Sequence, residues 1–557
     1  MEDFKLSSLP YERITIEAFE AEGKKILKEF KEAKTGEEQF EAHKKYYTLV
    51  KKMATARVLA QLRHDGDVTD KFYTEEQDYY DEIEPKITAF ANEYKKELYN
   101  TKFRDYMEEK IGKIAFKDIE FDLKSFNESL IPLKQEENAL TSQYRKLMAE
   151  LKIDFEGEKL NLSLLGKYIT SKDRDVRIKA VKARSEALNK IKDQLDDIYD
   201  KLVKNRTAQA KKLGLNSYVE LGYLNMGRTT YGIEEVRNFR NQVKKFLVPF
   251  ASKLHDERRK SLGLSKLDSV DEGVYFLNGN PAPIGTADDI FAAGKKMYSE
   301  LSPETKEFFN FMLDHELFDV LGRTNKAGGG YMDMLQDYKA PIIFANFNGT
   351  SGDVDVITHE CGHAFQGFIT RNDEVMEHNN IKMETAETHS MSMEFFAEKW
   401  MELFFGDRAD EYRDMHFKDA VIFIPYGCMV DEFQEIIYSK PELTKEERLE
   451  VWRDLEKQYK PHLAYENDEF EGEGRRWQRQ LHIYECPFYY IDYCLAQTCA
   501  LQFKIMMEEN YEEAWNKYLA FARESAKDSF KNMLNNVGLR SPFEDGYMES
   551  LVKKLDK

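Results

Sequence analysis

Val354-Asp355-Val356-Ile357-Thr358-His359-Glu360-Cys361-Gly362-His363-Ala364-Phe365-Gln366-Gly367-Phe368 is an apolar run that carries a His-Glu-x-x-His. Read as a helix, it sets His359 and His363 one turn apart on one face, where two imidazoles can chelate one ion. Glu360 then lies where it can polarise a water bound to that ion. Cys361, two residues after His359, points away from that face and is expected to be a packed core thiol. Asp353 and Thr350 stand where they would cap the helix. Two histidines leave zinc short of its usual three protein ligands, so the reading requires a donor from another element.

Downstream, Lys382–Phe396 (KMETAETHSMSMEFF) places Glu384, Glu387, Met391 and Glu394 on one helical face. A solvated helix and a ligating helix both produce such a face. Beside the upstream motif the balance moves to ligation, with Glu387 as third ligand and Glu394 as the acid that orients an imidazole. His389 falls off that face. Upstream, Gly328-Gly329-Gly330-Tyr331 leads into Ala340–Phe347 (APIIFANF), read as a strand that ends at Asn348-Gly349. Its edge could hold an extended peptide by main-chain pairing; a plain structural strand fits the local sequence as well. Near the C-terminus, His482–Tyr493 (HIYECPFYYIDY) concentrates His and Tyr behind Glu471-Gly472-Glu473-Gly474, read as a flexible joint. These tyrosines are either packing aromatics or groups that steady an oxyanion.

The rest of the chain frames this centre. A formal charge of −20 and a pI near 5.3 argue against nucleic acid or an anionic membrane as the main partner. Five cysteines form no C-x-x-C pair, as expected of reduced thiols in an intracellular protein. The N-terminus has no basic start followed by an apolar stretch, and apolar runs such as Ala420–Pro425 are too short to span a bilayer. The expectation is a cytoplasmic protein without a membrane partner. From Ile14 to about Arg206 the chain is rich in Lys, Glu and Asp. Helical stripes run through Phe19, Gly23, Ile26, Leu27 and Phe30, and through Ile191, Leu195, Ile198, Tyr199 and Leu202. Ile153–Leu162 alternates as a small hairpin would. Leu213–Ser217 marks a soft boundary between a helical region, 1–212, and a catalytic domain, 213–557. Helical patterns cover Ile233–Leu262 and Asp288–Leu321, separated by a loop at Gly279–Gly285, and resume after residue 380.

HECGHAFQGF followed by ETAETHSMSMEFF resembles the oligoendopeptidase F and thimet-oligopeptidase family of zinc metallopeptidases, nearest its bacterial oligoendopeptidase F-like and Pz-peptidase-like branch. The family's Glu-x-x-Ser-x-x-x-Glu is matched by Glu387, Ser390 and Glu394. Its Gly-Gly-Tyr is matched by Gly329, Gly330 and Tyr331, and its Asn-Phe-x-Gly-Thr by Asn346–Thr350. The resemblance implies one Zn2+ per chain on His359, His363 and Glu387, with Glu360 as the base that activates the zinc-bound water. It implies that His482, Tyr490 and Tyr493 bind substrate and stabilise the transition state, with the roles of Tyr484, Tyr489 and Tyr490 left open among themselves. Gly329, Gly330, Tyr331, Phe344, Asn346, Tyr484 and Tyr489 stand as substrate-binding candidates. The implied fold is mainly α, with two helical lobes enclosing a deep substrate cavity and a small β-sheet beside the metal site. The implied substrates are short unstructured peptides, cut internally. Two rivals remain: a zinc carboxypeptidase or aminopeptidase that anchors a terminus on Arg475 or Arg476, and a helical scaffold without activity. No feature indicates cleavage preference or oligomeric state.

Overall fold

The structure is a computed structural model that describes residues 4–556; residues 1–3 and 557 of the two expected regions lie outside the described residues. Charged segments with apolar residues at helical spacing become long helices: α1 (Ile16–Glu32), α2 (Gly36–Gly66) and α3 (Lys71–Tyr99). Each starts on an oxygen-bearing residue. Thr15, Thr35 and Asp70 accept from the backbone N–H three residues on, satisfying an otherwise unpaired donor. The Phe19–Phe30 stripe is buried in a core formed by these helices and the segment to Ile119. A second, larger core takes in α4 (Ile131–Ala149), α5 (Lys192–Lys212) and most of the chain beyond. Helix α2 serves both: Met53, Ala56 and Ala60 face the smaller core, and Val58, Leu59 and Leu62 the larger.

The expected hairpin forms, with β1 (Ile153–Phe155) antiparallel to β2 (Glu158–Leu160) and Ile153 opposite Leu160. The Asp288–Leu321 pattern is not one helical run. Ser302 ends the first helix and caps a second at Pro303, whose missing N–H suits a first turn; a left-handed Glu316 then releases the chain into β3 (Phe318–Leu321).

The sheet beside the site has the order β3-β5-β4, with β4 at Tyr331–Leu335 and β5 at Ala340–Phe347. β5 lies between a parallel partner, β3, and an antiparallel one, β4. It therefore has no free edge, which leaves the plain structural strand of the two readings. Its unbroken apolar run is the signature of a strand buried on both faces, and the edge beside the site belongs to β4. Between Asp319 and Leu321 the β3–β5 register shifts. There the buried Lys326 ammonium donates to the carbonyls of Asp319, Leu321 and Ala345 and to the Asp319 carboxylate, at 2.6–3.1 Å.

A tight turn joins β5 to α6 (Gly352–Thr370). The Asp353 carboxylate accepts from the Asn348 and Gly349 amides, both at 2.8 Å, while Thr350 Oγ1 donates to Asn348 Oδ1. Both residues brace the turn rather than cap the helix. Helix α7 (Met383–Ala397) then packs on α6 and, most extensively, on α9 (Tyr490–Glu524); α8 (Ala409–Ser439) packs on α9 from its own side. No helix among the described residues is long and apolar enough to cross a membrane. The fold is mainly α, and a cavity of about 1990 Å³ separates residues of α2, α3 and α4 from β4, α6, α7 and the 481–493 segment. Lys326→Met, which keeps the stem and removes the ammonium, takes a buried donor from three carbonyls and leaves the Asp319 carboxylate to Arg323 alone. Chemical denaturation should show a loss of about 2–4 kcal/mol; an unchanged midpoint would deny Lys326 this role.

Candidate active site and metal centre

Helix spacing alone sets His359 and His363 on one face of α6, with ring centroids 5.1 Å apart. The third donor comes from α7, and it reaches them because the two helices touch at backbone distance. A Cβ built on Gly362 would lie 2.6 Å from Ser390 Cα and 3.0 Å from the His389 carbonyl oxygen. Only a residue without a side chain fits there. Across this contact, Glu387 Oε2 lies 3.3 Å from both His359 Nε2 and His363 Nε2. One ligand atom from each residue lies within 4.8 Å of the others, and among the described residues this is the group of His, Cys, Asp and Glu that could hold a metal ion. Burial works to raise the Glu387 pKa, yet the two imidazoles hold it well below the ordinary carboxylate range. The donor set is two nitrogens and one anionic oxygen, which fits a divalent transition-metal ion with a position left open.

The ligands are themselves held. Ser390 Oγ donates to the Glu387 carbonyl at 2.9 Å and to its Oε2 at 3.0 Å, and Tyr489 OH donates to Oε1. Behind His359, Nδ1 meets Glu394 Oε1 at 2.6 Å, the partnership expected of the orienting acid. Glu394 Oε2 meets His416 Nε2 at 2.7 Å, His416 Nδ1 meets Glu398 Oε1 at 3.0 Å, and Lys504 donates to Glu398 Oε2 at 2.8 Å. Against burial, the two glutamates raise His416 to about 10, and His359 and His416 lower Glu394 to about 2. Nothing local in the sequence marks His416; it is a lone histidine on α8, 22 residues beyond Glu394.

Glu360 lines the large cavity, and burial raises its carboxyl above the ordinary range. Gly330 faces it closely: a Cβ there would stand 3.6 Å from Glu360 Oε1. Asn346 Nδ2 ties the glycine turn by donating to the Ala327 and Gly329 carbonyls at 2.8 and 3.0 Å. Gly329 has a φ of +89°, which favours glycine. Gly329, Gly330, Tyr331 and Asn346 all line the cavity. Tyr331 OH donates to Asp65 Oδ2 of α2 at 3.0 Å, linking the sheet to the opposite wall.

Across the metal cluster, His482 Nε2 lies 3.3 Å from Tyr493 OH, and both line the cavity. Burial lowers His482 to about 4 and raises Tyr493 well above the ordinary phenol value, so near neutral pH the imidazole is uncharged and the phenol keeps its proton. Tyr490 stands one step back. Its ring lies 5.0 Å from that of His482, and it borders only a smaller adjoining cavity.

Three expectations change, those on Tyr484, Phe344 and the Glu471–Gly474 joint, and Glu384, a candidate passed over for Glu387, lies outside the cluster. Tyr484 is fully buried, its hydroxyl donates to the Leu195 carbonyl, and its ring stacks on Tyr144 at 3.9 Å, so it is a core residue and not a substrate contact. Phe344 is also fully buried; it stacks under Tyr331 and does not border the cavity. Glu384 shares the face of Glu387 but is buried away from the cluster near Asp492, and burial with that neighbour raises it to about 8. Glu471–Arg475 is a tight turn that Gly474 breaks at a φ of +87°, and it is tied down, with Glu471 accepting from Arg184 and Arg479. Cys361 is a buried core thiol, as expected.

A site of this geometry on a mainly α scaffold fits a metal-binding hydrolase, and comparison with known proteins gives the class. Residues 302–553 match peptidase family M3, and residues 6–126 match the peptidase M3 N-terminal domain. Pz peptidase A, solved with an inhibitor, is 46% identical with a TM-score of 0.98, covering 99% of this chain and 98% of its own. An X-ray structure described as an oligoendopeptidase F is 44% identical with a TM-score of 0.98, at 99% and 98% coverage. A Bacillus anthracis protein described as an oligoendopeptidase F is 42% identical with a TM-score of 0.92, at 99% and 97%. Among curated proteins no match was found. The chain belongs to peptidase family M3. It is a peptidase of the metallopeptidase class.

Gly362→Ala must push α6 and α7 apart. It should cost about 1–3 kcal/mol of stability and weaken metal binding by tenfold or more, read by chelator competition. Wild-type metal affinity in that variant would show that the helix contact does not set the ligand geometry.

Proposed function

We propose that the chain is a zinc-dependent endopeptidase that cuts internal bonds of short, unstructured peptides, with one zinc per chain on His359, His363 and Glu387. The single observation behind this reading is that His359, Glu360, His363 and Glu387 border the same cavity as His482 and Tyr493. A zinc ion held there would supply Lewis acidity for a water and for the scissile carbonyl. Glu360, with its raised pKa, takes the proton of the attacking water and returns it to the leaving amine. Tyr493 keeps its proton and donates to the developing oxyanion. Neutral His482 orients the Tyr493 hydroxyl. β4 offers its edge and the Gly329–Gly330 turn offers main-chain groups for an extended peptide.

Walls on both sides of the cavity favour flexible oligopeptides over folded proteins. The exopeptidase reading loses its anchor. Arg475 is held by Asp196 and Glu473, Arg476 by Glu272, and neither borders the cavity. Free cysteines throughout support a reducing, cytoplasmic setting.

Internally quenched peptides blocked at both termini should be cleaved; if only peptides with a free terminus are cut, the enzyme is an exopeptidase. Glu360→Gln should retain zinc and lose about 10²–10⁴-fold in kcat, and wild-type turnover would exclude Glu360 as the base. Tyr493→Phe should lower kcat about 10²–10³-fold with little change in KM, whereas a change confined to KM would assign Tyr493 to ground-state binding.

A further inference from the structure

Two residues before α9 begins, the backbone is held in a conformation that bulky residues rarely adopt. Phe488 has a φ of +67°, and among the described residues it is the only aromatic one in the left-handed region. Such a residue stays there only where its surroundings over-determine it. Tyr489 and Tyr493 follow directly. The first donates to Glu387 Oε1, and the second lies 3.3 Å from His482 Nε2 in the cavity wall. The direction in which α9 leaves Phe488 therefore sets where both hydroxyls stand.

Three contacts from three segments impose that conformation. The Phe488 N–H donates to Gln434 Oε1 of α8 at 2.8 Å. Its ring seats against Gly222, where a Cβ would lie 2.4 Å from it. Its carbonyl accepts from Arg228 Nη2, and the same nitrogen donates to Asp492 Oδ1 at 2.9 Å. One cation thus joins the turn to the first turn of α9, at the residue before Tyr493. The Arg228 side chain is fully buried, in the loop between the helices Tyr218–Asn225 and Ile233–Gln242. Its guanidinium carbon stands 4.4 Å from the centre of the Tyr223 ring. Its Nε and Nη1 meet no acceptor among the described residues. A buried ion pair so incompletely satisfied is a poor source of stability. Its effect is geometric: it ties both sides of a joint to one point.

We propose that Arg228 is a positioning residue for the peptidase reaction: by holding the Phe488 carbonyl and the Asp492 carboxylate with one nitrogen, it places the Tyr493 hydroxyl where the oxyanion develops. Arg228 does not border the substrate cavity, so it acts through α9 and not by touching the peptide. The inference rests on the peptidase reading, with Tyr493 as the donor, and adds the residue that sets the donor's place.

The test uses the full-length zinc-loaded protein and an internally quenched peptide blocked at both ends. Arg228→Lys keeps the buried charge but ends one bond short, so its ammonium cannot meet both oxygens. The variant should keep one zinc per chain and lose at least about tenfold in kcat, with KM within about threefold of wild type. The double variant decides the mechanism. Because Arg228 acts through Tyr493, Arg228→Lys/Tyr493→Phe should turn over within about threefold of Tyr493→Phe alone. Losses that multiply would make Arg228 a general structural residue and overturn the inference, as would wild-type kcat in Arg228→Lys. A crystal structure of the metal-free Arg228→Lys protein gives a readout without activity. The Tyr493 hydroxyl should leave hydrogen-bond reach of His482 Nε2, and an unmoved hydroxyl would also overturn the inference. If Arg228→Lys does not fold, Arg228→Met/Asp492→Asn, which removes both buried charges together, takes its place in the same comparisons. A wild-type protein that cleaves no blocked peptide would overturn the peptidase reading instead, and the variant's structure would still decide whether Arg228 holds Tyr493.

Discussion

Two helices that meet without a side chain between them are the constraint on which the site depends. Gly362 on α6 lies against the Ser390 Cα of α7, and at that separation Glu387 spans to both imidazoles. Helix periodicity places the two histidines, but it cannot bring a carboxylate from another helix to 3.3 Å from each; close packing does that. Other elements fix the approach. The long packing of α7 on α9 holds the ligand helix from behind and also delivers Tyr489 to the Glu387 carboxylate and Tyr493 to the cavity. The short turn braced by Asp353 sets where α6 leaves the sheet.

Buried charge follows from that geometry and is compensated along a line. His359, Glu394, His416, Glu398 and Lys504 alternate between base and acid, each within 3.0 Å of the next. Such a chain fixes the orientation of His359 and keeps its ring from turning away from the cluster.

Much of this was legible in the sequence, for physical reasons. His359, Glu360, His363 and Glu387 are related by one helical period and one short excursion, so spacing and chemical need identify them together. Glu394 was legible for the same reason, as it lies two turns beyond Glu387. The expected long helices follow from apolar stripes in charged segments, and α1 and α5 bury residues those stripes name. Residues whose role depends on distant neighbours were not legible. Tyr484 sits in an aromatic-rich stretch, yet its ring turns into the core against Tyr144, 340 positions earlier. The Ala340–Phe347 strand was legible, but which of its edges was free depended on β3, hidden at the end of a helical pattern. His416 carries no local signal, because only the packing of α8 brings it to α6 and α7.

The proposed activity requires a metal held by two imidazoles and one carboxylate. X-ray absorption at the zinc edge, on protein loaded with zinc and freed of excess, measures that directly. It should show one zinc per chain with a first shell of nitrogen and oxygen at about 2.0–2.1 Å and an imidazole contribution from two rings. A protein that retains no zinc, or a first shell containing sulfur at about 2.3 Å, would contradict it.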